Sequence, residues 1–362
     1  MRKLFYVVAS LALMAAIASC DKSPVGSEPG NEVLVPAETR TGTMFIEVGT
    51  STKALLSAVP DESDQPVYSL QVFIFNASTG KLEIDKYVQS NSMQITSLVG
   101  AKHVWAVTNH AKINGVPTET DFRALTTRLE DNYYSGSTYL IMVGEKDVTV
   151  VEDGNSVSID VTRLHSRIEL KKVTVDFHNN YLEGCTFRIT EMYLKNVAGD
   201  AMLTTTDYAP TVWYNKLTDQ NNAAVNPLIS DHSLDIALPT DGSAASEYVQ
   251  SLVNRVWYTY PNPTVPDAAP VNSWTSSTDA RHTRLVIHGE VSGAPVGGTV
   301  QSYYVFTLPV LQKNASYVIS EVKITMLGKN NDNDDERTET GIASISLNVL
   351  DWTTGAPLTF NN

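Results

Sequence analysis

The feature that most narrows the fold of this chain is an alternation of apolar and polar side chains with a period of two. Residues 81–88 read Lys81-Leu-Glu-Ile-Asp-Lys-Tyr-Val88, and residues 93–98 read Met93-Gln-Ile-Thr-Ser-Leu98. A period of two places every apolar residue on one face of an extended strand; a helix would scatter them around its axis. The pattern returns at residues 147–151, 157–161, 187–196 and 345–349, while the nearly unbroken apolar run Leu70-Gln-Val-Phe-Ile-Phe75 suits a strand covered on both faces. Turn chemistry separates these runs, as in Asn76-Ala-Ser-Thr-Gly80. Only 18% of the 362 residues are charged, which suits sheets and turns better than long solvated helices. The expectation is an all-β protein of two tandem β-sandwich domains with one or two short helices.

The first domain is expected over residues 41–163. It holds strands near 43–48, 70–76, 81–88, 93–98, 103–110, 139–143, 147–151 and 157–161. One helix is expected over 119–129, with Thr118 as its N-cap. The second domain is expected over residues 164–352, with strands near 168–177, 187–196, 234–238, 256–260, 284–288, 303–308, 317–326 and 345–349 and a short helix near 246–254. Gly355 and Pro357 break the last strand, leaving a tail over residues 353–362. Leu358 and Phe360 sit two apart in it, so an extended tail turns both to one face.

The amino-terminal segment has a different character. Arg2 and Lys3 precede an apolar run over residues 4–17, shorter than a membrane span requires. The run ends Ile17-Ala18-Ser19-Cys20, which resembles the lipobox of bacterial lipoproteins. That resemblance implies removal of residues 1–19 and acylation of Cys20, where two or more chains give stable anchoring in lipid. Residues 21–31 are polar and rich in Pro, Gly and Ser, as in a flexible tether. Val33, Leu34 and Val35 then form a short strand-like segment closed by Pro36. Arg40 follows in a polar hinge before the next strand, a placement open to an Arg-specific protease acting between Arg40 and Thr41.

Little else carries chemistry. The net charge of −14, from 26 basic and 40 acidic residues, argues against nucleic acid, which needs clustered Lys and Arg. The seven histidines show no zinc-type spacing, and no nucleophile, P-loop or dinucleotide motif is present. No enzyme activity, cofactor or metal is therefore expected. The acidic run over residues 330–336 lacks the Gly and terminal Glu of an EF-hand and reads as a hairpin loop. Cys185 reads as a small buried hydrophobe. Trp213, Tyr214, Trp257, Tyr258, Tyr260 and Trp274 read as core and turn packing, with a sugar-stacking surface as the alternative.

Five segments, taken together and in order, resemble the fimbrillins, the subunits of type V pili. They are Val104-Trp-Ala-Val-Thr-Asn109, Val161-Thr-Arg-Leu-His-Ser-Arg-Ile-Glu-Leu170, Trp257-Tyr-Thr-Tyr-Pro-Asn262, the run 311–324 with Asn314 and Tyr317, and the strand from Ile345 to Trp352. The resemblance implies two transthyretin-like sandwiches. It implies export to the outer-membrane surface as a lipoprotein anchored through Cys20. Cleavage after Arg40 by an Arg-specific protease would then expel the strand Val33, Leu34, Val35. A tail strand with Leu358 and Phe360 as pegs, from another copy or a related fimbrial subunit, would fill the vacated groove. The mature form would sit in a fimbrium supporting adhesion to a host or bacterial surface ligand. The alternatives are a tip or anchor accessory subunit and a glycan-binding surface lipoprotein.

Overall fold

The computed structural model describes residues 40–50, 67–134, 137–178, 180–205, 207–215, 226–231, 233–242, 255–264, 282–332, 342–351 and 357–358. The chain divides into two units, Met1–Pro36 and Ala37–Asn362, and every described residue lies in the second. Cys20, Val33, Leu34, Val35, Trp274, Phe360 and the helix expected near 246–254 lie outside the described residues.

Seven long strands build the amino-terminal half: β1 (Thr41–Thr50), β2 (Leu70–Asn76), β3 (Leu82–Val88), β4 (Ser92–Leu98), β5 (Gly100–Thr108), β6 (Met142–Val150) and β7 (Asn155–Arg163). Their order in the sheet is β3-β2-β5-β6-β7-β1-β4. The β6–β7 ladder consists of only two residue pairs, Val143 with Thr162 and Met142 with Arg163. The sheet turns a corner there and folds into two layers, β3-β2-β5-β6 against β7-β1-β4. Period-two alternation supplies the filling between them. Met44, Ile46, Val48, Met93, Ile95, Val157, Ile159 and Val161 from one layer meet Leu70, Val72, Ile74, Val104, Ala106, Met142 and Val150 from the other. The corner requires Gly144, because a Cβ there would run into the carbonyl oxygen of Asp160. β1 lies inside its layer, parallel to β7 from Met44 onward and antiparallel to β4 along its first seven residues.

The carboxy-terminal half uses β8 (Ser166–Leu170), β9 (Thr186–Lys195), β10 (Arg255–Thr259), β11 (Arg284–Gly293), β12 (Gly298–Thr307), β13 (Ala315–Ile324), β14 (Ala343–Asp351) and β15 (Pro357–Leu358). One sheet runs β10-β8-β13-β14-β15, and the second is built on β9-β11-β12. Ile168, Leu170, Trp257, Tyr317, Ile319 and Val322 of the first and Phe187, Ile189, Leu194, Leu285, Ile287 and Tyr304 of the second belong to one buried cluster. That cluster continues into the amino-terminal half through Phe73, Phe75, Trp105 and Phe122. Thr126–Arg128 also pairs antiparallel with Asp200–Met202, a two-stranded ladder between the halves.

This ladder explains a correction. The helix expected over 119–129 spans only Glu119–Arg123, capped as expected by Thr118, whose hydroxyl accepts the Asp121 N–H at 3.2 Å. Thr126–Arg128 is drawn into strand pairing instead, and Leu129–Asn132 forms a 3-10 turn. Tertiary pairing overrides helical spacing here. The two strands expected over 139–143 and 147–151 are largely one strand, β6, because Gly144 lets it continue past the corner. The strand expected over 168–177 is interrupted at Lys171 and Lys172, and Val173–Val175 resumes parallel to β13.

Candidate functional site at the two chain ends

Arg40 stands directly before β1. Its carbonyl oxygen accepts the Val99 N–H at 2.9 Å, extending the β1–β4 ladder by one residue beyond Thr41–Leu98. Its guanidinium meets Glu152 at 2.9 Å, with both side chains about half exposed. Glu152 lies in the turn between β6 and β7, 112 residues away in sequence. Nothing local to Arg40 signalled this partner. A Cβ on Gly42 would run into the carbonyl oxygen of Val151, so the start of β1 also lies tightly against that turn. At the other end of the chain, β15 pairs antiparallel with β14, Leu358 opposite Val349 and Pro357 opposite Leu350. Part of the tail is thus already a strand, the last of its sheet.

The remaining candidates fall where packing puts them. Trp213, Tyr214, Trp257, Tyr258 and Tyr260 are all buried, so none of them offers a sugar-stacking face. Cys185 is a buried free thiol, as the sequence led us to expect. At the start of the acidic run, the Asp332 carboxylate accepts the Tyr193 hydroxyl at 2.9 Å and pairs with the buried Lys195 at 3.0 Å. Burial would raise the Asp332 pKa, but the Lys195 charge and these hydrogen bonds hold it below the usual carboxylate range. That carboxylate is committed to internal partners. Among the described residues no group of His, Cys, Asp and Glu has the disposition of a metal site.

The segments that carried the resemblance prove to be backbone devices. Asn109 and Asn314 both adopt positive φ, +59° and +58°, a conformation Asn tolerates better than most residues. The Asn109 side chain then accepts the Tyr68 N–H at 2.9 Å and donates to the Leu140 carbonyl at 3.1 Å. Tyr317, three residues after Asn314, returns its hydroxyl to the chain upstream, donating to the Val310 carbonyl and accepting the Gln312 N–H, each at 2.8 Å. Asn262 exchanges main-chain hydrogen bonds with Leu311 and donates from its side chain to Thr283 at 3.0 Å.

Residues 41–182 match the family model described as major fimbrial subunit protein (FimA). No curated protein matches the chain in sequence. Solved structures share its fold. A candidate cell adhesion protein from Bacteroides eggerthii DSM 20697 aligns with a TM-score of 0.61 at 18% identity, over 86% of this chain and 96% of that one. A second from Parabacteroides distasonis ATCC 8503 gives 0.59 at 16%, over 88% and 98%. A fimbrilin (FimA) from Porphyromonas gingivalis W83 gives 0.53 at 16%, over 87% and 98%. At these identities the structural likeness speaks for the fold, and the sequence match over 41–182 speaks for the family. Over residues 41–182 the chain is thus similar to the major fimbrial subunits, and as a whole it shares the fold of a fimbrilin.

Proposed function

We propose that this protein is a structural subunit of a type V fimbria. It is exported as a lipoprotein held at the outer membrane by Cys20, cut between Arg40 and Thr41, and joined to further copies or related subunits by strand exchange. The observation that carries the reading is a coincidence of three boundaries. The compact unit begins at Ala37, β1 begins at Thr41 immediately after Arg40, and the family match begins at residue 41. On this reading residues 41–163 and 164–352 are the two domains, and residues 20–40 leave on maturation. Val33, Leu34 and Val35 occupy a groove until that cut, and the 353–362 tail of a neighbour, with Leu358 and Phe360 as pegs, replaces them. The pairing of Leu358 with Val349 supports the tail's capacity to act as a strand. Strand addition supplies affinity through main-chain hydrogen bonds and fit through alternate side chains.

Amino-terminal sequencing of the mature surface form tests this. A start at Thr41, with polymers present, is the expected result. A blocked Cys20 retained on the surface would replace it with an anchor or accessory role. The glycan-binding reading has lost Trp213 to the core and rests on Trp274 alone. Loss of glycan-array binding in Trp274→Ala would revive it.

A further inference from the structure

We propose that the Arg40–Thr41 bond is held shut in the folded subunit by a clamp of Val99, Val151 and Glu152, and that opening of this clamp sets the rate of processing. The inference rests on the reading that Arg40–Thr41 is the processing bond.

A protease takes its substrate as an extended segment several residues long and needs the scissile carbonyl and the side chain before it for itself. Here both are already engaged. The Arg40 carbonyl accepts the Val99 N–H, and the Arg40 guanidinium is paired with Glu152. The residues after the bond are engaged as well: Thr41, Gly42 and Thr43 sit opposite Leu98, Ser97 and Thr96 in the β4 ladder. Gly42 fits against the Val151 carbonyl so closely that no side chain has room. Cleavage therefore requires residues 40–43 to peel from β4 and from the β6–β7 turn.

The peeling is local. Parallel pairing with β7 starts only at Met44 opposite Asn155, so residues 40–43 are held on the β4 side and at the turn, while the rest of β1 stays in its layer. When such opening is fast compared with cutting, the cutting rate follows the population of the open form. Glu152 and the Val99 N–H are thus positioning groups for the substrate bond, acting on Arg40 from the two sides of β1 at the same end of the layer. The device would keep the precursor intact until it meets a high local concentration of protease.

The test uses the full chain and a limiting amount of an Arg-specific endoprotease, following appearance of the Thr41 amino terminus. A free peptide of residues 37–45 is cut in parallel to normalise for the enzyme. Glu152→Gln is expected to raise the normalised rate about two- to fivefold, the range an exposed ion pair supports, and Glu152→Lys to raise it further. Val99→Pro, which deletes the donor to Arg40, is expected to act in the same direction. Raising salt from about 20 mM to about 300 mM screens the pair and is expected to speed cutting of the wild-type chain but not of Glu152→Gln. A merely structural role for Glu152 would not produce that difference in salt response. Equal normalised rates in wild type, Glu152→Gln and Glu152→Lys, or resistance of every variant alike, would overturn the clamp. A mature amino terminus elsewhere than Thr41 would instead overturn the processing reading itself, so the two failures are separable.

Discussion

The side-chain amide of Asn132 donates to the Tyr260 hydroxyl at 2.9 Å, although 128 residues separate them in sequence. Both side chains are fully buried. Asn132 also donates to the Leu129 carbonyl at 3.1 Å and accepts the Ile141 N–H at 2.9 Å, and Tyr260 donates onward to the Arg128 carbonyl at 3.2 Å. One polar network thus fixes the 3-10 turn Leu129–Asn132 of the amino-terminal half to the residue that follows β10. Removing the phenol would leave a buried amide donor and a carbonyl short of partners. Tyr260→Phe is expected to cost about 1–3 kcal/mol. Asn132→Ala is expected to cost more, because it orphans Ile141 as well. Urea unfolding checks both, and an unchanged midpoint for Tyr260→Phe would show the network to be unimportant.

The same tyrosine stacks on His165, with ring centroids 4.7 Å apart. His165 is fully buried, and neither ring nitrogen has a hydrogen-bond partner among the described residues. Burial, with the charges of Arg163 and Lys313 adding to it, pushes its pKa down to about 3. The unfolded chain takes up this proton near pH 6.5 and the folded chain does not. Stability from this group is therefore complete above about pH 6.5 and lost as pH falls toward 3, at about 1.4 kcal/mol per pH unit. His165→Phe keeps the stack and removes the titration. Between about pH 6.5 and 5, above the range in which carboxylates take up protons in the unfolded chain, the wild type is expected to lose stability that the variant retains. Parallel urea midpoints across that interval would refute this.

Gly144 gives a steric prediction. Its missing Cβ lets β6 approach the Asp160 carbonyl at the corner where the sheet folds over. The obstruction is main chain, which cannot rotate away, and only two residue pairs join β6 to β7. Gly144→Ala is expected to destabilise by about 2–4 kcal/mol, within the range of overpacking and strain in a core. A thermal midpoint within a degree of wild type would mean that the corner can move apart without cost.

These sites show what was legible in the sequence. Strands that bury one face announce themselves: β9 over Thr186–Lys195 and β4 over Ser92–Leu98 lie where alternation puts them. The Asn and Tyr positions of the family-like segments were visible as letters, and the structure supplies their physics as positive-φ turns and a hydroxyl returned to the backbone. Partnerships formed by the fold were not visible. Glu152 is one exposed carboxylate among 40 acidic residues, and only the β6–β7 turn brings it to Arg40. The helix expected beyond Arg123 was lost to Asp200–Met202, a competitor more than 70 residues downstream. The aromatic residues read as core and turn packing with a sugar-stacking surface as the alternative, and burial assigned Trp213, Tyr214, Trp257, Tyr258 and Tyr260 to the core.

The tail allows the assembly reading to be tested at the level of polymers. Among the described residues, Leu358 and Pro357 pair with the end of β14, so a chain lacking residues 353–362 is expected to fold with little change in thermal midpoint. On the proposed mechanism such a chain can still receive a neighbour's strand but cannot donate its own. Mixed with wild-type subunits after cleavage at Arg40, it should therefore stop growth at one end, and mean polymer length should fall as its mole fraction rises. Leu358→Asp combined with Phe360→Asp should do the same while keeping the tail's length, because charges at alternate positions cannot enter apolar pockets. Electron microscopy of mixed assemblies reads the outcome directly. Full-length polymers made from the truncated chain alone would rule out the tail as the exchanged strand.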